Sequence, residues 1–493
     1  MQRTVRSVEN LLETAIESMA INGSAASRYN LGGVRRSRPR ESRSPSTTTP
    51  PPPTTRPELE PLLNHCMNQP HFLTYIATLT FGVLMSDPLI AQRKDVNYDE
   101  GKIDIGVLPD PLVSKAGKRI TAKEWDSHRL ELLHTLSEHQ FGFAPTEVAD
   151  LSWKVVEEGI MNEGLTKRQQ IVVHLQTVAG SMDIDLIVFS PANKTKCGAF
   201  LGLNFQGNHS IDSDKAIRIP STWMRNNAES GVAENRATET GRGQQSRRWP
   251  IREINERGFV VATAYYGDID PDFDDGFKNG VHSLFPSNKP DIDHPDRWGS
   301  IAGWSWGLSR LLDVLIQQPS VDPTKVAVVG HSRLGKASLW AGATDPRFSV
   351  VISNNSGCGG AALERRNFGE TVAIINTSFP HWFCGNFKKY NKNEKELPHD
   401  AHTLISVIAP RPVYIASATE DTWADPKGEY LSGHYATPVY QLLGYDGLVS
   451  SNPPEPEVSV GGRIGYHART GPHDILSYDW QRFMDFSDKS WKK

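Results

Sequence analysis

The sequence has few cysteines and no excess of positive charge, and each shortage excludes a class of protein. Four cysteines occur in 493 residues, without CxxC spacing and without a zinc pattern involving nearby histidines. The formal net charge of −4 is unlike that of a protein selected to bind a phosphate backbone. We therefore expect no metal site and no nucleic-acid partner.

Long apolar runs are also lacking. The uncharged stretch at residues 72–85 is shorter than the roughly 20 residues of a membrane-spanning helix. The small residue Ala91 follows it, before Gln92, which is typical of a secretory signal, although no Lys or Arg lies close upstream. We expect a signal-like segment at 67–92, a secreted or periplasmic protein and no stable membrane insertion; a buried helix is the alternative.

Residues 1–66 contain a tract rich in Arg, Ser, Thr and Pro, which cannot bury enough apolar surface to fold. This composition predicts disorder. Because Met67 begins the signal-like segment, one hypothesis is that translation starts there and that the first 66 residues are a wrongly assigned start. The remaining residues, 93–493, are predicted to form a single catalytic domain.

From about residue 100 onward, short β-branched or apolar runs alternate with helical patterns, as in βαβ units around a largely parallel sheet. Residues 170–178 and 183–191 are predicted to form an early antiparallel pair. Further buried strands are predicted at 199–205, 258–266, 325–330, 350–355 and 411–419. The expected fold class is α/β, a three-layer αβα sandwich with a mostly parallel central sheet.

Two helices and one irregular region complete this prediction. Residues 304–318 carry apolar side chains at three- and four-residue steps, and Pro319 ends the pattern. A shorter helix is predicted at 335–342. The region 210–250 is rich in Asn, Arg, Gly and Gln without periodicity, which indicates a long insertion over one end of the sheet.

The segment VAVVGHSRLG contains a predicted strand, a tight turn and the start of a helix, with Ser332 in the turn. This is the context of a nucleophilic serine, because the turn exposes the hydroxyl above the carboxyl end of the sheet. Arg333 can add a positive donor for an oxyanion. The usual G-x-S-x-G pattern is altered, since Leu334 takes the last position and Gly335 follows it. The other interpretation is that Ser332 only caps the helix.

A nucleophilic serine needs a basic partner, and in α/β-hydrolases the chain order is serine, acid, histidine. The histidines late in the chain are His434, His467 and His473. His473 is the preferred base because it follows a Gly-Pro pair in the loop RTGPHD. His467 is the next candidate, and we expect a structural or surface role for His434.

The heptapeptide GHSRLGK at residues 330–336 resembles the G-x-S-R-x-G-K signature of the glucuronoyl esterases, carbohydrate esterase family 15. The resemblance extends over about residues 100–485, through segments such as LGLNFQGNHS, NNSGCGGAALERRNFGET, PHWFCGNF, EDTWADPKGEY and GPHD. It implies an α/β-hydrolase fold, a serine esterase of the bacterial type, and His473 as the catalytic histidine.

The acid departs from the family pattern. Many members of the family place a glutamate just before the Ser-Gly-x-Gly-Gly segment, where this chain has Asn355. An amide cannot stabilise an imidazolium by charge, so another carboxylate is expected to act. The preferred candidate is Asp421 at the end of the strand RPVYIASATE, with Glu420 and Asp425 as alternatives. Asp421 could instead only cap a turn.

The resemblance also implies that Lys336, Glu370 and Trp423 contact a uronic sugar. Lys336 lies four residues after Ser332, about one helical turn, so both can face one cleft. The alternatives are a solvated helix lysine, a helix-surface glutamate and a packed tryptophan.

The reaction implied by the family is hydrolysis of an ester between (4-O-methyl-)glucuronic acid of glucuronoxylan and a lignin alcohol. This carboxylic ester hydrolysis needs no cofactor, and a monomer is expected. Another polysaccharide esterase, such as an acetyl xylan esterase, is one alternative. A non-catalytic carbohydrate-binding homologue is a second, which Asn355 makes conceivable.

Overall fold

The computed structural model describes residues 96–147, 149–286 and 294–492. The predicted disordered segment 1–66 and the signal-like segment 67–92 lie outside the described residues. Among the described residues, no helix has both the length and the apolar character needed to cross a membrane. Cys197, Cys358 and Cys384 are buried free thiols.

A ten-stranded sheet forms the middle layer, and a separate two-stranded sheet lies in the insertion. The strands are β1 (Asp150–Met161), β2 (Thr166–Thr177), β3 (Gly180–Pro191), β4 (Cys197–Asn204), β5 (Val232–Ala233), β6 (Arg236–Ala237), β7 (Val260–Tyr265), β8 (Val321–His331), β9 (Val350–Asn354), β10 (Val413–Ala418), β11 (Val460–Gly461) and β12 (Ile464–Arg469). The order in the large sheet is β1-β2-β3-β7-β4-β8-β9-β10-β12-β11.

The sheet is parallel in its central part and antiparallel at both edges. Strands β7, β4, β8, β9, β10 and β12 run parallel to their neighbours within this series. β1, β2, β3 and β11 are antiparallel to theirs. The predicted early antiparallel pair is β2 with β3. Because parallel strands end on one side, the loops after β8, β9, β10 and β12 meet at a single rim.

Helices cover both faces of the sheet. They are α1 (Trp125–Leu136), α2 (Ile251–Glu256), α3 (Tyr266–Ile269), α4 (Ser300–Leu315), α5 (Arg333–Thr344), α6 (Val372–Ser378), α7 (Ala401–Ser406), α8 (Pro426–Leu442) and α9 (Ser477–Trp491). The helix predicted at 304–318 is α4 and starts four residues earlier, because the carbonyls of His381 and Trp382 accept from the amides of Ser300 and Ile301.

Alternation along β8 divides the core between the two faces. Val326 and Val328 belong to the cluster that includes the apolar side chains of α4 and α5. Ala327 and Val329 belong to the opposite cluster, which includes Trp480 of α9. A strand that is buried on both faces has a continuous apolar sequence. This is why the run KVAVVG at residues 325–330 predicts a buried strand. This arrangement confirms the predicted three-layer sandwich with a mostly parallel central sheet.

The region 210–250 has little regular structure beyond short turns and the β5–β6 hairpin. Its side chains tie it to other loops. Arg242 donates to the carbonyl of Ile217 at 2.8 Å, and Arg248 Nε donates to Asp474 Oδ1 at 2.7 Å. Asp474 directly follows His473, so the insertion holds the loop that carries the predicted base.

Candidate active site

Ser332 occupies a strained turn between β8 and α5. Its φ is 57° and its ψ is −131°, a conformation that costs free energy for a residue with a side chain. Its amide donates to the carbonyl of Asn354 at 2.9 Å, which fixes the turn against β9. The side chain makes no capping hydrogen bond to α5, although Ser332 stands in the N-cap position. The geometry is that of a half-buried nucleophile turn rather than a helix cap.

Two glycines permit this turn and explain the altered motif. A Cβ on Gly330 would lie 1.9 Å from the carbonyl oxygen of Leu334, so only glycine fits there. A Cβ on Gly335 would lie 3.0 Å from the Cβ of Ser356 and 3.1 Å from the Gly330 carbonyl oxygen. The close approach of α5 to β8 and to the next loop therefore falls at position 335, one residue later than in G-x-S-x-G.

His473 and Asp421 meet beside this turn. The His473 Nδ1 atom lies 2.5 Å from Asp421 Oδ2, across loops that follow β12 and β10. The ring of His473 packs on the ring of His331, the neighbour of Ser332, with 4.5 Å between centroids. Since Asp421 engages Nδ1, Nε2 is the ring nitrogen available for proton transfer. The structure thus brings the predicted nucleophile, base and acid to one rim.

Asp421 is held as a carboxylate by several donors. Burial raises the pKa of its carboxyl group, but the hydrogen bond and charge of His473 and the amide of Asn355 lower it more, so the pKa lies below its ordinary value. Asn355 Nδ2 donates to Asp421 Oδ2 at 2.8 Å, and the amide of Ala424 donates to Oδ1 at 3.3 Å. The asparagine that replaces the family's glutamate therefore supports the carboxylate next to it.

The alternative bases have other partners. His467 is completely buried, with Nε2 at 2.9 Å from Asp479 Oδ1 and Nδ1 at 2.9 Å from the Tyr414 hydroxyl. His434 Nδ1 lies 2.9 Å from the carbonyl oxygen of Leu448. Both histidines are structural in this arrangement.

The alternative acids are likewise placed elsewhere. Glu420 is exposed at the surface of the loop. Asp425 caps the first turn of α8 through the amide of Gly428 at 3.0 Å and binds Arg366 Nε at 2.7 Å. Neither carboxylate contacts His473.

Arg333 is the first residue of α5, and its side chain lies among aromatic rings and the carboxylate of Asp272. Its Nη1 donates to Asp272 Oδ2. Its guanidinium carbon lies 4.7 Å from the ring centroid of Trp382 and 5.3 Å from that of Phe379. The Arg333 Nε atom is buried and has no hydrogen-bond partner among the residues that the structure describes. A buried, unpaired donor next to Ser332 suits a developing oxyanion.

The three predicted substrate-binding residues are connected to one another. Lys336 is buried, and its ammonium donates to the carbonyl oxygens of Ser356, at 2.6 Å, and Cys358. It also lies 3.4 Å from Glu370 Oε2. The amide of Glu370 donates to the carbonyl of Trp423 at 2.9 Å, and Trp423 is half-buried. Lys336 is therefore buried rather than solvated. We call the connected residues Lys336, Glu370 and Trp423 the polar floor of the site.

Sequence reasoning missed the residues that surround Arg333. Asp272 accepts from His381 Nε2 at 2.8 Å and from Trp382 Nε1 at 2.8 Å. Burial raises the pKa of Asp272, but these hydrogen bonds and the charge of Arg333 hold it well below its ordinary value. The only signal was the segment PHWFCGNF, which carries part of the family resemblance without indicating a contact.

Sequence reasoning also missed Glu429, a buried carboxyl group close to the acid loop. Its Oε2 accepts from the Ser417 hydroxyl at 2.6 Å, and its Oε1 accepts from the amide of Gly357 at 3.0 Å. Complete burial raises its pKa to about 8, with a further contribution from the charge of Asp421. Glu429 is thus neutral near pH 7, next to an ionised aspartate.

Comparisons with known proteins place this site in a family. A family model described as glucuronyl esterase of fungi matches residues 292–444. The carbohydrate esterase MZ0003 of an unknown prokaryotic organism is 45% identical over 84% of this chain and 96% of its own length. A 4-O-methyl-glucuronoyl methylesterase of Wolfiporia cocos is 36% identical over 38% of this chain and 45% of its own length.

Among solved structures, a glucuronoyl esterase from Solibacter usitatus is 37% identical, with a TM-score of 0.74 over 79% of this chain and 100% of that one. The extent and identity of these matches confirm the predicted α/β-hydrolase fold and the resemblance found in the sequence. The chain belongs to the glucuronoyl esterases of carbohydrate esterase family 15, and it is a carboxylic ester hydrolase.

Proposed function

We propose that this chain hydrolyses the ester between (4-O-methyl-)glucuronic acid of glucuronoxylan and a lignin alcohol, with Ser332 as nucleophile, His473 as general base and Asp421 as the acid that orients it. The observation that carries the assignment is the 2.5 Å contact of His473 with a buried, ionised Asp421 beside the strained Ser332 turn. A serine becomes a competent nucleophile when such a pair removes its proton.

The reaction has two halves. Ser332 Oγ gives its proton to His473 Nε2 and attacks the C6 carbonyl carbon of the uronate. When the tetrahedral intermediate collapses, the C6–O bond to the alcohol breaks, and the alcohol takes the proton from His473. Water, deprotonated by the same imidazole, then attacks the acyl-enzyme and releases glucuronic acid, while the proton returns to Ser332.

Charge on the carbonyl oxygen develops at the N-terminal end of α5. The amide of Arg333, the residue after the nucleophile, is the expected backbone donor. The buried Arg333 Nε, which has no partner in the described part of the chain, supplies a second donor of positive charge. Preorganised donors of this kind commonly contribute about 10² to 10³ in turnover.

The polar floor supports the choice of a sugar acid. The Glu370 carboxylate can accept from sugar hydroxyls, and half-buried Trp423 can pack against a sugar face or donate through its indole. Lys336 holds Glu370 and the backbone of the Ser-Gly-x-Gly-Gly segment in place. Relatives named glucuronoyl esterase and 4-O-methyl-glucuronoyl methylesterase support the same acyl group.

The test compares a benzyl ester of glucuronic acid with a simple acetate ester, each with the wild-type protein, Ser332→Ala and Asp421→Ala. We expect the wild type to prefer the glucuronate ester and both variants to lose activity on it, with binding of a glucuronate-decorated xylooligosaccharide retained in Ser332→Ala. A preference for the acetate would favour an acetyl xylan esterase. Unchanged activity of Ser332→Ala would contradict Ser332 as the nucleophile, and an inactive wild type that still binds the xylooligosaccharide would leave only a carbohydrate-binding role.

We also propose that the protein is secreted or periplasmic and acts as a monomer. The uncharged stretch at 72–85 followed by Ala91 supports the export of the chain. N-terminal sequencing of the exported protein is expected to find a mature end near Gln92, and sedimentation is expected to give the mass of one chain. A mature end far upstream of Ala91 would contradict export through this segment.

A further inference from the structure

Asp272 is the centre of a buried hydrogen-bond cluster behind the oxyanion arginine. It follows α3, is 1% exposed, and accepts from groups on three separate segments of the chain. Oδ1 accepts from His381 Nε2 and from Trp382 Nε1, each at 2.8 Å. Oδ2 accepts from Arg333 Nη1 and from the Tyr266 hydroxyl, the latter at 3.1 Å. All of its acceptor capacity is thus directed at groups around Arg333.

The cluster also surrounds the guanidinium with aromatic rings. Trp382, which donates to Asp272 through its indole nitrogen, presents its ring to the Arg333 guanidinium at 4.7 Å. Phe379 stacks on Trp382 with 3.7 Å between ring centroids and 3° between planes, and it also faces Arg333 at 5.3 Å. The guanidinium is therefore bound to a carboxylate and lies within cation–π distance of two stacked rings.

This geometry engages one end of the guanidinium and leaves donors of Arg333 available to a ligand. The Nη1 group is used by Asp272, whereas Nε is buried without a partner in the described residues. An arginine side chain has many rotamers, so an unbraced guanidinium would sample many orientations. A donor that is already aimed pays no reorganisation cost when charge develops.

We propose that Asp272 is a positioning residue for the esterase reaction: its carboxylate, fixed by His381 and Trp382, binds Arg333 so that Nε points to the oxyanion formed at Ser332. The proposal rests on the proposed function, because it presupposes an oxyanion beside Ser332. Its carboxylate is bonded to Arg333, Tyr266, His381 and Trp382, so the role of Asp272 is exerted through Arg333.

The first variant is Asp272→Asn, which keeps the shape but removes the charge. We expect kcat on the benzyl glucuronate ester to fall about 10- to 100-fold with KM within about twofold, because the lost contact matters mainly when the oxyanion forms. The matched control is Asp268→Asn, a buried aspartate four residues earlier in α3, which accepts from Thr222 at 2.7 Å. The control is expected to keep wild-type kcat.

A double-mutant cycle then separates positioning from a general structural role. Arg333→Ala is expected to lower kcat about 10²- to 10³-fold, and adding Asp272→Asn to it is expected to cost no more than about twofold further. A loss in the double variant equal to the product of the two single losses overturns the positioning role. Wild-type activity of Arg333→Ala overturns the oxyanion assignment and, with it, this proposal.

A second variant keeps the proposal testable if Asp272→Asn does not fold. Trp382→Phe keeps an aromatic face for Arg333 but removes the indole N–H that donates to Asp272 Oδ1. We expect a smaller, several-fold loss of kcat that again disappears in the Arg333→Ala background. Wild-type kcat for Trp382→Phe, or a loss that persists without Arg333, contradicts the proposed role of the cluster.

Discussion

Two buried aspartates flank Ser332, and they differ in the kind of partner that each one holds. Asp421 binds the imidazole of His473, whose side chain is 38% exposed. Asp272 binds the guanidinium of Arg333, which is charged throughout and is covered by aromatic rings. The pKa of each carboxyl group lies below its ordinary value, because hydrogen bonds and opposite charge outweigh burial.

The comparison teaches how similar carboxylates serve different tasks. On the side of the base, His473 has to accept and release a proton, and it is accordingly tied through one nitrogen in a partly open loop. On the oxyanion side, Asp272 is surrounded by donors from three chain segments. We call Asp421 with His473 the responsive arm, because His473 exchanges a proton in the proposed reaction. We call Asp272 with Arg333 the fixed arm, because its contacts are in place before the reaction.

The largest expected effect is on the responsive arm. Replacing Asp421 by asparagine leaves the shape of the loop but removes the charge that stabilises the imidazolium, so kcat is expected to fall about 10³- to 10⁴-fold. Steady-state kinetics on a benzyl glucuronate ester measure the loss. The adjacent Glu420→Gln, at an exposed position, is the control and is expected to retain wild-type kcat. A loss below tenfold in Asp421→Asn would show that another carboxylate acts.

The fixed arm is tested by Arg333→Lys. Lysine preserves the positive charge but has neither the flat guanidinium that packs on Trp382 nor the Nε donor. We therefore expect kcat to fall about 10²-fold, with little change in KM. If charge alone were sufficient, Arg333→Lys would keep nearly the wild-type rate, and the contrast between the two arms would disappear.

The responsive arm could be predicted from the sequence, and the fixed arm could not. Ser332 and His473 lie in short local patterns, a strand-turn-helix and a Gly-Pro loop, and Asp421 follows a strand that ends at the same rim. Asp272 reaches Arg333, His381 and Tyr266 through tertiary contacts that no local spacing encodes. The burial of Lys336 beneath the Ser-Gly-x-Gly-Gly segment is likewise a property of packing.

Asn355 offers a finer test of how Asp421 is held. Asn355→Ala removes one neutral donor from the Asp421 carboxylate, a loss of about 1 kcal/mol, so kcat is expected to fall about fivefold. The matched control is Asn162→Ala. Asn162 also has a positive φ, 50° against 49° for Asn355, and donates one side-chain hydrogen bond, to Thr166, away from the site. Equal effects of both variants on kcat would reduce the role of Asn355 to backbone conformation.

The smallest effect on rate is expected for Glu429→Gln, which extends the comparison to a buried carboxyl group without a charged donor. Since Glu429 is neutral near pH 7, the variant is expected to keep kcat within about twofold at that pH.

The contribution of Glu429 to the free energy of unfolding depends on pH in the direction opposite to that of Asp421. Its folded pKa of about 8 lies above the ordinary 4.5, so its contribution to the free energy of unfolding is complete below pH 4.5 and is lost as the pH rises through 8. The contribution of Asp421, whose pKa is lowered, is instead lost in acid below 3.8.

Urea unfolding between pH 5 and 8 should therefore show the wild type losing up to about 1 kcal/mol per pH unit relative to Glu429→Gln. The exposed Glu455→Gln serves as the control and is expected to follow the wild type throughout. Parallel stability curves for wild type and Glu429→Gln would mean that Glu429 is ionised in the folded protein, and that the hydroxyl and amide donors around it suffice to hold a charge without the imidazole partner that Asp421 has.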